Sequence, residues 1–447
     1  MSAATFAWLS LVVNGSLLGW IFLRKSFRPS QFFAATALFS FGVRPLASES
    51  CEFFTPFYYF EIGLYERGVI LANVGLTVFI VGLFIGARPI RQGFSVDTVQ
   101  LGYFAEFLLV IAALLDVAAL RLFGTAILPG VRTTGLQQAA SGSQIFFAAV
   151  SAVTVLGMGL SVLCVLTRRP GMSLVRMVVR IAGFFLISMI FYQRGALLVG
   201  IVFGLFLMGL YDNRFFVRNK VRLVSVFAGM LLLATLGRQI ITEIVALVEP
   251  SVAMAEQSAP GANYSFACRV ANTANQEHDQ VWPTLLPYVD QYGADHFANV
   301  TAAIFRPFLS ATQRDRLGLT TSVDALNIYN DSQSYLDLNF GFSISVIQYH
   351  YYSMGLLFVI SLALAGLLTS RIENAIDKGR RREIDPAYLV RAVLVLNGSY
   401  LLNGPFDEQL KWALINSVVG LGSIAAYLAG RRLFFPQYGL APDRAQA

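Results

Sequence analysis

The chain has 447 residues, of which 56% are hydrophobic and only 13% charged, with a formal net charge of +7 at pH 7. An ordinary soluble domain carries about a quarter charged residues, so this composition excludes a soluble globular protein and points to an integral membrane protein. The basic excess gathers in loops beside the apolar runs, where it meets anionic lipid, and gives no reason to expect a nucleic-acid partner.

Apolar stretches of roughly 17 to 25 residues recur along the chain, each long enough at about 1.5 Å per residue to cross a hydrocarbon core about 30 Å thick. Alternating strands of the β-barrel kind are absent, so the spans are expected to be helices and the fold an all-α polytopic membrane bundle. Eleven spans are predicted, near 5–23, 31–47, 68–87, 101–120, 144–166, 174–192, 195–211, 222–243, 343–369, 387–403 and 412–430. The first, LSLVVNGSLLGWIFL, precedes RKSFR and lacks both a basic leader and a small-residue cleavage site, as expected of a retained helix rather than a signal peptide. If that span ends inside, 22 of the 33 Lys and Arg fall on the inner side. The positive-inside bias thus predicts an outer N-terminus and a cytoplasmic C-terminus. Three segments result: residues 1–243 with spans one to eight, a long outer loop at 244–342, and residues 343–447 with the last three spans and the tail.

The loop is far longer than a simple connection and too rich in aliphatic and aromatic residues (VWPTLLPYV, HFANVTAAIFRPFL) for disorder. It is expected to form short amphipathic helices lying over the bundle. The outer side also holds a set of arginines. In GFFLISMIFYQRGALLVGIVFGLFLMGLYD, Arg194 interrupts two apolar runs at an outer hairpin. Alone it reads as a turn or a snorkelling side chain. With Arg238 at a similar level and Arg306, Arg314 and Arg316 in the loop, it reads as part of a phosphate site, because the planar guanidinium binds phosphate oxygens bidentately.

No nucleotide-binding, zinc-protease or paired-cysteine motif is present. His278, His296 and His350 are scattered over about seventy residues, a spacing that argues for no metal, and no cofactor is implied. Within the fourth span, Glu106 and Asp116 either mark a proton path or bond to a neighbouring helix, the latter being the commoner fate of an isolated intramembrane acid. Three cysteines occur, Cys51, Cys164 and Cys268. Cys51 and Cys268 share the outer side, where an oxidising compartment permits a bridge, but separate buried thiols are the expected state, since nothing in the sequence brings their Cα atoms together.

The hairpin YQRGALLVGIVFG, the single long outer loop and the stretch NDSQSYLDLNFGFSISVIQYHYYSMGLLFVI together resemble the bacterial O-antigen polymerase family, relatives of the O-antigen ligases. Arg194 matches the family's hairpin arginine; Tyr335, Leu336 and Gly341 match the residues leading into the span after the loop. Where the ligases carry His-Asn, this chain has Ser332 and Gln333, so no ligase histidine carries over.

The resemblance implies a glycosyltransferase, GT-C-like, of the bacterial inner membrane that polymerises undecaprenyl-diphosphate-linked oligosaccharides on its periplasmic face, toward O-antigen in lipopolysaccharide or a related polysaccharide. It also implies membrane lipids and a chain-length regulator protein as partners. Arginines would then stabilise the diphosphate leaving group without metal. Asp331, Asp337, His278 and His296 are the candidate bases, Asp331 first, although Asp331 also suits a turn or helix cap. Tyr335, Tyr329 and Trp282 are candidate sugar-stacking residues, a composition that an interfacial aromatic belt would share. Two other readings remain: a ligase acting on lipid A core, and an exporter without catalysis.

Overall fold

A computed structural model describes residues 3–25, 27–51, 62–89, 93–123, 143–167, 173–190, 194–212, 214–219, 268, 281–298, 300, 304, 313, 316–318, 322, 325–326, 329, 345–377, 383–404 and 406–434. These are almost wholly helical. In chain order the longer elements are α1 (Ala3–Lys25), α2 (Pro29–Leu38), α3 (Arg44–Cys51), α4 (Ile62–Gly86), β1 (Ser95–Val96), α5 (Thr98–Phe123), α6 (Ser143–Leu166), α7 (Leu174–Ile190) and α8 (Arg194–Tyr211). After the short α9 (Arg214–Arg218) come α10 (Trp282–Tyr292), α11 (Val346–Met354), α12 (Phe358–Glu373), β2 (Glu383–Ile384), α13 (Pro386–Leu402) and α14 (Phe406–Phe434).

Among the described residues, six helical stretches are long and apolar enough to cross a membrane: Ala4–Phe22, Gly63–Gly86, Thr98–Leu122, Ala148–Leu166, Val346–Asp377 and Trp412–Arg431. Gly195–Tyr211 and Pro386–Leu402 are apolar but shorter. The all-α membrane class therefore holds, while the expected eleven spans are not reached among these residues. The span expected at 222–243 lies outside them. That expected at 31–47 is two helices joined by a π-helical turn, Phe39–Val43, with Ser30, Gln31, Ser40 and Arg44 all buried. The ninth expected span is broken at Gly355, whose φ of +53° with ψ of −133° suits a residue without Cβ. Ser345 and Gln348 form a reciprocal capping box that starts the first half.

The chain packs as two compact units. Unit 1 comprises Met1–Gln92, Asn213–Lys378 and Val395–Leu414. Its axis is the crossing of α4 with α12, where glycines let the two backbones touch. A Cβ on Gly82 would lie 2.3 Å from the Ala363 carbonyl oxygen, and one on Gly366 would lie 2.3 Å from that of Phe79. Such close approach maximises dispersion where lipid removes the hydrophobic drive between helices. The loop helix α10 is wedged into the same core: Trp282 is fully buried, and a Cβ on Gly68 would fall 2.2 Å from the Trp282 Cβ. Leu285, Leu286 and Val289 continue its buried face. The loop thus supplies part of the core, beyond the covering helices expected of it.

At the C-terminal ends of α4 and α12, a buried polar knot holds the α1–α2 turn. Glu373 is completely buried and accepts from the Ser30 amide (2.8 Å), the Ser30 hydroxyl (2.7 Å) and the Ser399 hydroxyl (2.8 Å). Arg28, 1% exposed, faces it at 3.8 Å and donates to Asn374 Oδ1 at 2.8 Å and to the Arg88 carbonyl. In the sequence Arg28 is one of the basic residues that follow the first span on the predicted inner side. Its position is buried, where a guanidinium requires this many acceptors.

Unit 2 comprises Gly93–Asp212, Gly379–Leu394 and Ile415–Ala447. Helix α6 meets α8 through glycines: a Cβ on Gly204 would come within 2.5 Å of the Gly159 carbonyl oxygen. A two-stranded parallel ladder pairs Ser95 with Glu383 and Val96 with Ile384. Each strand runs into an aspartate that caps the next helix, Asp97 accepting from the Gln100 amide (3.0 Å) and Asp385 from the Tyr388 amide (2.7 Å). This division by packing cuts across the three segments drawn from hydropathy.

Replacing Gly366 or Gly82 by Val should separate α4 from α12 and cost about 1–3 kcal/mol or more, as overpacking does. Thermal unfolding in detergent should show a clear fall for both. Gly19→Ala, with nothing within 4 Å of its added Cβ, should unfold with the native protein. An unchanged midpoint for Gly366→Val would mean that the crossing yields readily.

Candidate functional site

The residues singled out in the sequence are unevenly placed. Asp331, Asp337, His278, Tyr335, Arg238, Arg306 and Arg314 lie outside the described residues. Arg194 opens α8 in unit 2, while His296, Trp282, Tyr329 and Arg316 belong to unit 1, Arg316 on an exposed turn. Trp282 offers no ring face to a sugar, because its indole is enclosed and set edge-on to Tyr351 at 5.5 Å. Tyr329 is different: it belongs to a cluster in which Tyr288 lies between Tyr352, stacked at 5.5 Å and 22°, Tyr292 at 5.0 Å and Tyr329 at 5.4 Å. Tyr292 is 62% exposed, which leaves a ring available at the surface of the cluster. Burial, and secondarily Tyr292, push the Tyr329 hydroxyl above the ordinary phenol range, so it stays protonated near neutral pH. Beside the cluster, Arg67 and Asp290 pair at 3.8 Å with both side chains about half exposed, a contact too solvated to contribute much stability.

The strained part of this region is the turn after α10. Gly293 ends that helix with φ +81°, and His296 and Phe297 follow with φ of 51° and 62°, a left-handed conformation that non-glycine residues rarely adopt. The turn is pinned to the end of α11, with the Asp295 amide donating to the Tyr352 carbonyl (3.1 Å) and the His296 amide to the Ser353 carbonyl (2.7 Å). The imidazole of His296 is consequently exposed, and the ring of Phe297 turns inward against Tyr349 and His350.

Beneath Phe297 lies a cavity of about 290 Å³, walled by Tyr349 and His350 of α11, Ser361, Leu364 and Leu368 of α12, Leu402 of α13 and Phe406 of α14. Its walls are apolar, and two of them, Leu364 and Leu368, are themselves about half exposed on the outer flank of α12. The cavity therefore opens sideways, where lipid would lie. Its polar point is the Ser361 hydroxyl, which lies 3.0 Å from the Phe358 carbonyl and 2.9 Å from His350 Nδ1. In the sequence, QYHYYSMG reads as belt and helix packing; the histidine acquires its setting only when Phe297, Ser361 and Leu402 converge on it.

Cys51 and Cys268 form a disulfide, with Cα atoms 5.5 Å apart across a separation of 217 residues. This corrects the expectation of separate thiols. Cys51 ends α3, and Cys268 packs against Ala47 and Cys51. Cys164 is free and buried on α6. Among the described residues no group of His, Cys, Asp and Glu has metal-site geometry.

No family model, no curated protein and no solved structure matches the chain.

Two results are expected from this geometry. Non-reducing peptide mapping should recover Cys51 joined to Cys268, and alkylation of the unfolded, unreduced protein should label Cys164 alone; labelling of all three would show that the bridge does not form. His296→Gly should leave stability unchanged or raise it by up to about 1 kcal/mol, because glycine tolerates the left-handed turn. A large loss of stability would place the imidazole in the packing.

Proposed function

We propose that the protein is a membrane glycosyltransferase that extends a polyprenyl-diphosphate-linked oligosaccharide on the outer face of the bacterial inner membrane, as the O-antigen polymerases do. The observation that carries this reading is the side-opening apolar cavity closed by the strained His296–Phe297 turn and adjoined by the tyrosine cluster. A lipid-linked sugar requires those two surfaces together, one for isoprene units and one for a pyranose. The disulfide supports the orientation, since a bridge between α3 and the long loop persists in an oxidising compartment.

In this reading the apolar stem of the carrier occupies the cavity, with its diphosphate toward the loop. The acceptor hydroxyl attacks the anomeric carbon as the bond from that carbon to the diphosphate oxygen breaks. The hydroxyl proton passes to a base, and polyprenyl diphosphate leaves with the negative charge. Among the described residues His296 is an exposed imidazole next in sequence to Phe297 of the cavity wall, so it is proposed as base alongside Asp331, Asp337 and His278. Arg238, Arg306, Arg314 and Arg316 are the cations proposed to meet the diphosphate charge, and Arg194 is proposed as a phosphate-binding residue on its match to the family's hairpin arginine alone. Tyr292 takes over the stacking role first given to Trp282, and Tyr329 and Tyr335 keep their own.

Purified protein in liposomes, supplied with carrier-linked repeat units, should release longer carrier-linked glycans with and without a chelator. Arg194→Lys should insert normally yet lose about tenfold or more of the rate, because lysine keeps the charge and loses the bidentate fork. Arg168→Ala should polymerise at the native rate. Transfer of glycan to lipid A core would convert the reading to a ligase, and translocation without a new glycosidic bond to an exporter.

A further inference from the structure

The break at Gly355 and the turn after α10 are parts of one arrangement. In an unbroken helix the carbonyls of Tyr352 and Ser353 would accept from amides four residues further on. At Gly355 the chain instead turns away, with φ +53° and ψ −133°, and the Gly355 amide closes α11 on the Tyr351 carbonyl. The two freed carbonyls are taken by the loop, through the Asp295 amide on Tyr352 (3.1 Å) and the His296 amide on Ser353 (2.7 Å). Gly355 faces Ala294 at this junction, since a Cβ on the glycine would lie 3.8 Å from the Ala294 Cβ. The turn is therefore the cap of a broken helix.

On its other side the turn leaves a rigid support. Helix α10 is anchored by the fully buried Trp282, Leu285 and Leu286, and it closes with the Gly293 amide on the Val289 carbonyl (2.9 Å). Gly293 then has φ +81° and ψ 178°, a backbone essentially restricted to glycine, and no atom lies within 4 Å of where its Cβ would stand. Within the turn, the Ala298 amide binds the Asp295 carbonyl and the Val300 amide the Phe297 carbonyl, each at 3.0 Å. The segment can thus pivot at Gly293 as a small body once its two bonds to α11 part. Closure holds His296 and Phe297 in the left-handed region, so it stores strain that opening releases. Closure also sets the Phe297 ring against Tyr349 (5.9 Å) and His350 (5.7 Å), where it and Val300 wall the cavity.

We propose that the His296–Phe297 turn is a lid, hinged at Gly293 and latched on the carbonyls that the break at Gly355 sets free. The cavity then has two entrances. One is the lateral opening beside Leu364 and Leu368, by which an apolar chain enters from lipid. The other is the roof, which parts when the Asp295 and His296 amides leave α11. The ligand class that fits is a single-chain amphiphile, its chain in the cavity and its polar head emerging past Phe297 beside the exposed His296. The inference rests on the transferase reading only for the identity of that amphiphile, which is there the polyprenyl diphosphate carrier.

Thiol modification in nanodiscs tests the lid. In a Cys164→Ser background, Ser361→Cys places a thiol on the cavity wall, and a charged methanethiosulfonate, which stays out of lipid, has to reach it through the roof. The reaction should be slow when the turn is native. Phe297→Ala, which removes the ring and keeps the backbone, should speed it about tenfold or more, and His296→Pro, which lacks the amide donor and cannot adopt a positive φ, should do the same. A lipophilic maleimide, entering from the bilayer, should label all three proteins at similar rates, as a cavity that stays folded requires. Equal charged-reagent rates in the native and Phe297→Ala proteins would overturn the lid, and an unchanged rate in His296→Pro would overturn the latch on α11. Polyprenyl diphosphate should slow the lipophilic maleimide. If it does not, while both roof variants respond as stated, the lid stands and the carrier is not its ligand.

Discussion

The contact of α4 with α12 is the constraint on which the rest of unit 1 depends. Gly82 and Gly366 bring two backbones to a separation that any side chain would prevent, which fixes the axial register of both helices. That register determines where α11 sits, because Gly75 of α4 admits Ile347, Phe358 and Leu362 against its own Cα. It also sets the depth to which Trp282 enters beside Gly68. From Trp282 onward the dependence is short-range: α10 ends at Gly293, the His296–Phe297 turn is pinned by amides to the last turn of α11, and Phe297 closes the cavity. An enlargement at Gly82 would therefore reach the cavity roof through three successive packed elements.

Charge burial is handled in the same local way in each unit. Removing water from a guanidinium or carboxylate costs several kcal/mol per ion, which attraction offsets only when the remaining donors and acceptors are also filled. In unit 1, Glu373 has three donors besides Arg28. In unit 2, Glu106 has two arginines, and Arg180 in addition finds the Gly102 carbonyl. These pairs specify which helix faces meet. Asp116 departs from that pattern, with both carboxylate oxygens buried and no hydrogen-bond partner for either among the described residues.

The class of protein was legible because composition and the length of apolar runs respond directly to the bilayer. The helix contacts were legible in part: Gly200 and Gly204 on α8, and Gly82 and Gly86 on α4, carry small-xxx-small spacing that could have flagged the close crossings. The repeated hydrophobic–Asp pair in Val96-Asp97 and Ile384-Asp385 likewise announces two strand-to-helix junctions. Non-local features were hidden. Nothing near Cys51 or Cys268 encodes their approach across 217 residues, and His350 sits in an aromatic run that is indistinguishable from interfacial packing until Ser361 and Phe297 are brought to it. Trp282 misled for a related reason, since an aromatic in a polar-looking loop can serve as core when the loop re-enters the bundle.

The central claim, that the cavity under Phe297 receives the carrier's isoprenoid stem, is open to direct measurement by photo-crosslinking. A diazirine-bearing polyprenyl diphosphate should attach to the walls of that cavity in the native protein, principally at Leu364, Leu368, Leu402 and Phe406, and unlabelled polyprenyl diphosphate should compete it away. Adducts spread over exposed helix faces such as Trp8, Val12 and Val418, with no competition, would show that the stem stays in bulk lipid and would contradict the account.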